Sequence, residues 1–251
     1  MDFEKEERTK LPEPATMLVL FVRAPVSGRV KTRLARHLGH DAACDLYRAM
    51  VDDLLAGAKV TGYPIALFHD GDAAAELPVD WRRCAMQVIP QQGETLGARM
   101  AAAFSRGFAD GWEKILLAGS DIPGLDADII HSATVALDDH DVAIVPAKDG
   151  GYCLIALKRK AYRPDLFHCI PWSTDRVLEL TLERCRQASL SVATLQALQD
   201  LDTLDDLERY CRQPCETAPS INAHLEKLGF KLSRTVSVRQ RLSIGKDLCH
   251  E

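Results

Sequence analysis

The run Met17-Leu18-Val19-Leu20-Phe21-Val22, cut off by Arg23, Pro25 and Gly28, constrains the fold more than any other feature of the chain. A strand with one wet face alternates apolar and polar residues, whereas a strand covered on both faces reads as an unbroken apolar run. The block is therefore expected to be an inner strand of a parallel sheet, with layers packed above and below it.

The pattern that follows supports this. Residues 42–56 place Ala43, Leu46, Tyr47, Met50, Leu54 and Leu55 on one stripe, which predicts a helix. Further strands are expected at residues 64–68, 86–89, 115–118, 141–145, 153–157 and 191–194. Helices are expected over 97–108, 127–137, 175–187 and 204–210. Strands alternating with helices imply βαβ units, an α/β protein with a three-layer α/β/α, mainly parallel sheet. No linker or internal repeat interrupts residues 17–228, so one domain is expected there. Residues 1–16, charged and then proline-bearing, read as a disordered leader. Residues 229–251 read as a loosely attached basic tail carrying Lys231, Arg234, Arg239, Arg241 and Lys246.

Composition removes several function classes. A net charge of -5 argues against a general nucleic-acid binder, which is usually basic. The longest apolar run is far short of the roughly 20 residues that span a bilayer, and no signal-peptide pattern opens the chain. Eight scattered cysteines read as reduced thiols, and the expected location is cytoplasmic. Cys211 and Cys215, with His224 as a loose third, supply too few ligands for a zinc site. No G-x-S-x-G, H-E-x-x-H or G-x-G-x-x-G is present, so hydrolase, zincin and dinucleotide readings have no footing.

In open α/β sheets ligands bind at the carboxyl ends of the strands, so the loops after each strand are where chemistry is sought. The first loop, Arg23 to Leu34, holds four cations within eleven residues together with Gly28 and Thr32. Gly28 lets backbone N–H groups approach a phosphate, Lys31 supplies a point charge, and Arg33 can grip two oxygens. Val30 precedes Lys31 where a P-loop requires glycine, so a Walker-type ATPase is disfavoured. The plainer reading is a solvated basic loop.

The segment Gly119-Ser120-Asp121-Ile122-Pro123-Gly124-Leu125 puts a carboxylate at a strand end, suited to Mg²⁺ or Mn²⁺ beside substrate phosphates. Asp126 is the better candidate to cap the next helix, which leaves Asp121 free. Asp149-Gly150-Gly151 allows close approach to a ligand, but D-G is equally a hairpin signal. In Ile170-Pro171-Trp172-Ser173-Thr174, Trp172 reads equally as a stacking platform or as core, and Ser173 or Thr174 as a helix N-cap. Among Asp200 to Leu207, Asp202 is a candidate second metal ligand, and Thr203 with Asp206 resembles a capping box.

These segments, in this order, resemble bacterial DUF2064 proteins, a family described as candidate glycosyltransferases. The motifs are F-V-R-A-P-V-S-G-R-V-K-T-R-L-A, G-S-D-I-P-G-L, D-G-G-Y-C-L-I-A-L, I-P-W-S-T and D-L-D-T-L-D-D-L, covering about residues 17–210. The resemblance implies the nucleotide-diphospho-sugar transferase (GT-A, Rossmann-like) fold, with 2-phospho-lactate guanylyltransferase as a distant relative. It implies phosphate binding by Gly28, Lys31, Thr32 and Arg33, with Arg23 nearby, and metal binding by Asp121 and Asp202. Asp121 and Lys31 are the expected catalytic residues. Asp149, Gly150, Gly151, Trp172, Ser173 and Thr174 are expected to line the substrate. Many GT-A glycosyltransferases carry D-x-D where this chain has Ser120-Asp121-Ile122, and a single aspartate beside a basic first loop is more like a nucleotidyltransferase.

Three activities follow as expectations. The first is glycosyl transfer from a nucleotide sugar to a small acceptor. The second is nucleotidyl transfer from an NTP to a small phosphorylated or carboxylated acceptor, with pyrophosphate release. The third is a non-catalytic nucleotide-binding module.

Overall fold

The computed structural model describes residues 15–70 and 77–233. Most of the expected leader, and Arg234, Arg239, Arg241 and Lys246 of the expected tail, lie outside the described residues. Seven strands form one sheet: β1 (Thr16–Val22), β2 (Ile65–His69), β3 (Gln87–Pro90), β4 (Lys114–Gly119), β5 (Val142–Pro146), β6 (Tyr152–Lys158) and β7 (Val192–Thr194), in the order β3-β2-β1-β4-β6-β5-β7. β1 lies inside the sheet, parallel to β2 and β4, as its unbroken apolar run requires.

β6 is the exception to parallel pairing: it runs antiparallel to both β4 and β5. The other strands share one direction, so the loops after β1, β2, β3, β4, β5 and β7 gather at one end of the sheet.

The alternation along β1 separates two cores. Leu18, Leu20 and Val22 face α2 (His40–Val60), α3 (Val79–Cys84) and α5 (Ala127–Asp139), packing with Tyr47, Leu54, Trp81 and Ile130. Met17 and Val19 face the opposite layer, α4 (Leu96–Ala109) and α6 (Val177–Gln187), packing with Phe104, Phe108, Phe167 and Cys185. The period of two in a strand directs successive side chains to the two layers. A third cluster joins α1 (Thr32–Leu38) and α2 to α7 (Leu204–Arg212) and α8 (Pro219–Lys227) through Leu34, Leu46, Leu207, Tyr210 and Ile221. Phe230 and Leu232 pack onto this cluster, and Ser233 N donates to the Cys211 carbonyl at 2.8 Å.

Every strand and helix expected from periodicity is present within a few residues. Helices α1, α3 and α8 were not expected. Asp126 caps α5 by accepting from Ile129 N, and Thr203 and Asp206 form the capping box of α7. One capping expectation fails. α6 begins at Val177 with Arg176 as its N-cap residue and no side-chain cap, so neither Ser173 nor Thr174 serves there. The Thr174 hydroxyl instead donates to the Pro171 carbonyl at 2.7 Å, and Ser173 sits at φ 65°, which together fold the chain into a turn ahead of the helix.

Among the described residues, no helix is long and apolar enough to cross a membrane. The cysteines at 44, 84, 153, 169, 185, 211 and 215 are all unpaired.

Candidate active site

The first loop leaves β1 at Arg23, whose guanidinium pairs with Asp70 after β2 at 3.2 Å. Its backbone N–H donates to the Tyr47 hydroxyl at 2.8 Å. That hydroxyl, on α2 and 1% exposed, is also 2.9 Å from Ser120 Oγ after β4. Tyr47 thus ties the loop after β1 to the loop after β4 from beneath. Burial, with the Asp121 charge adding to it, pushes its phenol well above the ordinary range, so it stays a neutral hydrogen-bonding group.

The loop then turns through Gly28 at φ 81° and reaches Lys31, a non-glycine residue at φ 47°, ψ 42°. This left-handed conformation costs about 1–2 kcal/mol for a side chain with a Cβ. Val30 anchors the strained turn in the core, and the Lys31 carbonyl accepts from Ala35 N to start α1. The consequence is a Lys31 side chain directed inward, 2% exposed. Its Nζ stands 3.5 Å from Asp121 Oδ2 and 3.7 Å from Asp202 Oδ1. Arg33, two residues on and exposed, reaches the other oxygen of Asp202 at 3.3 Å.

Asp121 follows β4, and Asp202 is delivered from the stretch between β7 and α7. Leu201 N donates to the Asp121 carbonyl at 3.4 Å, and the capping box fixes where the second segment ends. Asp206 accepts from Thr203 N at 2.9 Å and from Asp202 N at 3.3 Å. The neighbouring Asp200 accepts from Gln199 Nε2 at 3.0 Å. Burial, then Asp206 and Asp149, raise the Asp200 carboxyl above its ordinary range. The structure therefore brings Lys31, Arg33, Asp121 and Asp202 together. Thr32 is exposed at the first position of α1.

The other expected binding segments meet each other. Asp149, Gly150 and Gly151 form the β5–β6 hairpin turn, with Asp149 Oδ1 accepting from Gly151 N at 2.9 Å. Gly150, at φ 90°, has no room for a Cβ because the Asp175 backbone lies where it would go. The close approach that this glycine permits is thus to the chain's own backbone. The Gly150 carbonyl also accepts from Leu178 N at 2.9 Å, which binds the hairpin to the start of α6. Trp172 is half-buried, edge-on to Tyr152 with centroids 6.3 Å apart. It packs over Gly97 in the first turn of α4, where any Cβ would strike the indole.

Three features of this end went unread in the sequence. Tyr47 reads in the sequence only as one residue of an apolar helix stripe, and a buried hydroxyl does not show in hydrophobic periodicity. The loop after β3 carries no charged motif to mark it, yet Gly93 at φ 125° and Thr95, which caps α4, both lie in it. His69, at the carboxyl end of β2, is 2% exposed with neither ring nitrogen hydrogen-bonded among the described residues. Scanning the loop after each strand, rather than the charged loops alone, points to the last two.

The donors facing the space between Asp121 and Asp202 are carboxylate oxygens, the ligand type that magnesium and manganese take. That space already accommodates a positive group, the Lys31 ammonium, so the residues fit a divalent cation. Among the described residues no cluster of three or more His, Cys, Asp or Glu side chains offers a fuller cage. A Mg²⁺ ion typically takes only one or two protein carboxylates, and Asp121 and Asp202 are the two that would hold one here.

Residues 54–174 match the family model "Uncharacterized protein conserved in bacteria (DUF2064)". The structure is similar to the crystal structure of a candidate nucleotide-diphospho-sugar transferase from Desulfovibrio desulfuricans G20. The two are 32% identical, with a TM-score of 0.77, over 87% of this chain and 99% of that one. The same fold is seen in 4-diphosphocytidyl-2C-methyl-D-erythritol synthase from Anaerococcus prevotii DSM 20548, at 10% identity and a TM-score of 0.51, over 84% of this chain and 99% of that one. It is seen again in a cytidylyltransferase from Leptospira borgpetersenii serovar Hardjo-bovis, at 12% identity and a TM-score of 0.51, over 88% and 98%. No curated protein matches the chain by sequence.

Proposed function

The chain belongs to the DUF2064 family, with the nucleotide-diphospho-sugar transferase fold, and from that premise we propose that it transfers a group from a nucleotide donor with a divalent metal at Asp121 and Asp202. The observation that carries the reading is the convergence of two cations and two carboxylates at the carboxyl end of the sheet. Transfer at a phosphate leaves negative charge on the departing group, and preorganised positive charge there is the usual origin of rate acceleration. A magnesium or manganese ion held by Asp121 and Asp202 supplies Lewis-acid neutralisation of that charge.

The chain's own groups have distinct tasks in this scheme. Arg33, exposed and with several donors in a fixed fork, grips phosphate oxygens beside its contact with Asp202. The Lys31 ammonium stabilises charge on the leaving phosphate. Gly28 keeps the loop backbone open to the phosphate chain. Arg23, held by Asp70, flanks the same loop. The Asp149–Gly151 turn and the Trp172–Thr174 turn, which brace each other, border the place for the acceptor or sugar.

The donor we favour is a nucleotide-diphospho-sugar and the acceptor a small molecule, in keeping with the 32%-identical relative's name. A second reading is nucleotidyl transfer from an NTP, favoured by a specific feature: one aspartate, Asp121, follows β4 where many sugar transferases present two. A cytoplasmic location suits either donor. Pyrophosphate assay over a panel of NTPs and nucleotide sugars, with Mg²⁺ or Mn²⁺, separates the two. Metal-dependent turnover of a nucleotide sugar without pyrophosphate supports the first reading. Pyrophosphate release from an NTP replaces it with the second. Asp121→Ala is expected to abolish turnover with the thermal transition intact, and metal-dependent turnover surviving in that variant overturns the site assignment.

A further inference from the structure

A lysine whose sole task is to grip phosphate is best left in the open cleft, yet the Lys31 side chain is 2% exposed. Its Nζ makes no hydrogen bond among the described residues and stands at ion-pair distance from both Asp121 and Asp202. Burying an ammonium is costly unless opposite charge surrounds it, and this one has carboxylates on two sides without the close hydrogen bonds that would fix it there. The left-handed backbone at Lys31 is what turns the side chain inward. The observations describe a cation held between two ligands by charge alone.

We propose that Lys31 is a stand-in for the metal: its ammonium and a divalent cation compete for the space between Asp121 and Asp202, and arrival of the metal releases Lys31 to the phosphate. The inference rests on the metal-site reading above and goes beyond it. Without a cation, two carboxylates brought to one point repel each other, and the Lys31 ammonium relieves that repulsion in the free protein. A divalent ion in the same space repels the ammonium and must move it. The lysine stem is flexible and its charge compact, so it can swing without disturbing the loop backbone. Arg33 remains on the outer oxygen of Asp202, so that carboxylate stays in place during the exchange. A displaced ammonium without a partner is unfavourable, whereas a bound phosphate gives it one. Metal and phosphate then help each other bind, and by linkage the help is reciprocal.

Electron paramagnetic resonance, which reads free aqueous Mn²⁺, tests this on the full chain without nucleotide. Lys31→Met is expected to bind Mn²⁺ more tightly than the unsubstituted protein, by about tenfold or more, a coupling of ordinary size. Asp121→Asn is expected to lose the binding. If Lys31→Met binds no more tightly while Asp121→Asn still loses the ion, the competition is overturned and the metal site stands. If neither substitution changes Mn²⁺ binding, both fall together. Inorganic phosphate, at concentrations too low to complex Mn²⁺ itself, is expected to tighten Mn²⁺ binding in the unsubstituted protein by more than it does in Lys31→Met. An equal effect in both overturns the release of Lys31 to phosphate. Lys31→Gln, of similar length and able to hydrogen-bond, repeats the comparison should the methionine variant fail to fold.

Discussion

Asp200 and Asp202 are two residues apart and differ in their surroundings. Asp202 faces Lys31 and Arg33, whereas Asp200 is half-buried, bonded to an amide, and faces Asp206 and Asp149. Burial first, then those two charges, raise its carboxyl pKa in the folded state. A carboxylate with a raised folded pKa binds its proton more tightly folded than unfolded, so it lowers stability once pH exceeds the unfolded value of about 3.9. The deficit grows until the folded group has also ionised and is constant above that. Asp200→Asn is therefore expected to stabilise the protein at pH 7, with the gain shrinking towards pH 4. Denaturant unfolding at the two pH values checks it, and an equal gain at both refutes the electrostatic origin. Tyr47 supports a second prediction at this scale. Tyr47→Phe leaves the Ser120 hydroxyl and the Arg23 amide without their shared partner, a cost of about 1–3 kcal/mol. Turnover is expected to fall by more than donor affinity, because the loops after β1 and β4 lose their common tether. The cations and aspartates were legible in the sequence because strand ends mark where ligands bind. The inward aim of Lys31 was not, since it depends on one residue's left-handed backbone, and Lys31 carries no glycine to announce it.

At the scale of elements, legibility followed length and apolar continuity. β1 and β4 have unbroken apolar runs, and α2, α4 and α5 have long stripes, so each was predicted within a few residues of its observed bounds. α8 was missed because Ile221 and Leu225 are its only fully buried apolar residues, too few to set a period. The direction of β6 was also hidden, because the D-G pair that makes its hairpin turn fits a ligand loop equally well. What α8 lacks in apolar surface it gains from Asp53 on α2. That carboxylate, 8% exposed, accepts from Ser220 N and Ile221 N at 2.9 Å each, capping α8 from another helix. Asp53→Ala is expected to cost about 2 kcal/mol, since two helix-end donors lose a charged acceptor. Chemical denaturation measures it, and hydrogen exchange is expected to show the loss of protection in α8 ahead of the sheet. A loss below about 0.5 kcal/mol, the range of surface substitutions, would show that packing alone holds α8.

For the molecule as a whole, binding and stability are linked, because a ligand that prefers the folded chain raises its melting temperature. A donor at a hundred times its dissociation constant adds about 2.7 kcal/mol, a rise of roughly 5–10 °C for a domain of this size. The rise is expected with nucleotide and Mg²⁺ or Mn²⁺ together and to shrink with EDTA. A shift that is indifferent to metal would detach the nucleotide from Asp121 and Asp202.

The partners in the candidate site are far apart along the chain: Arg33 and Asp202 are separated by 169 positions. During synthesis the N-terminal part emerges first, at about 5–20 residues per second. By the time Asp202 leaves the ribosome, β1 to β7 have all been made, and a nascent chain ending before it can pair its sheet but offers a metal only Asp121. Such a fragment, whether stalled or clipped, is expected to leave cellular manganese and nucleotide alone, so that the capacity to bind them appears only once the segment after the last strand is in place.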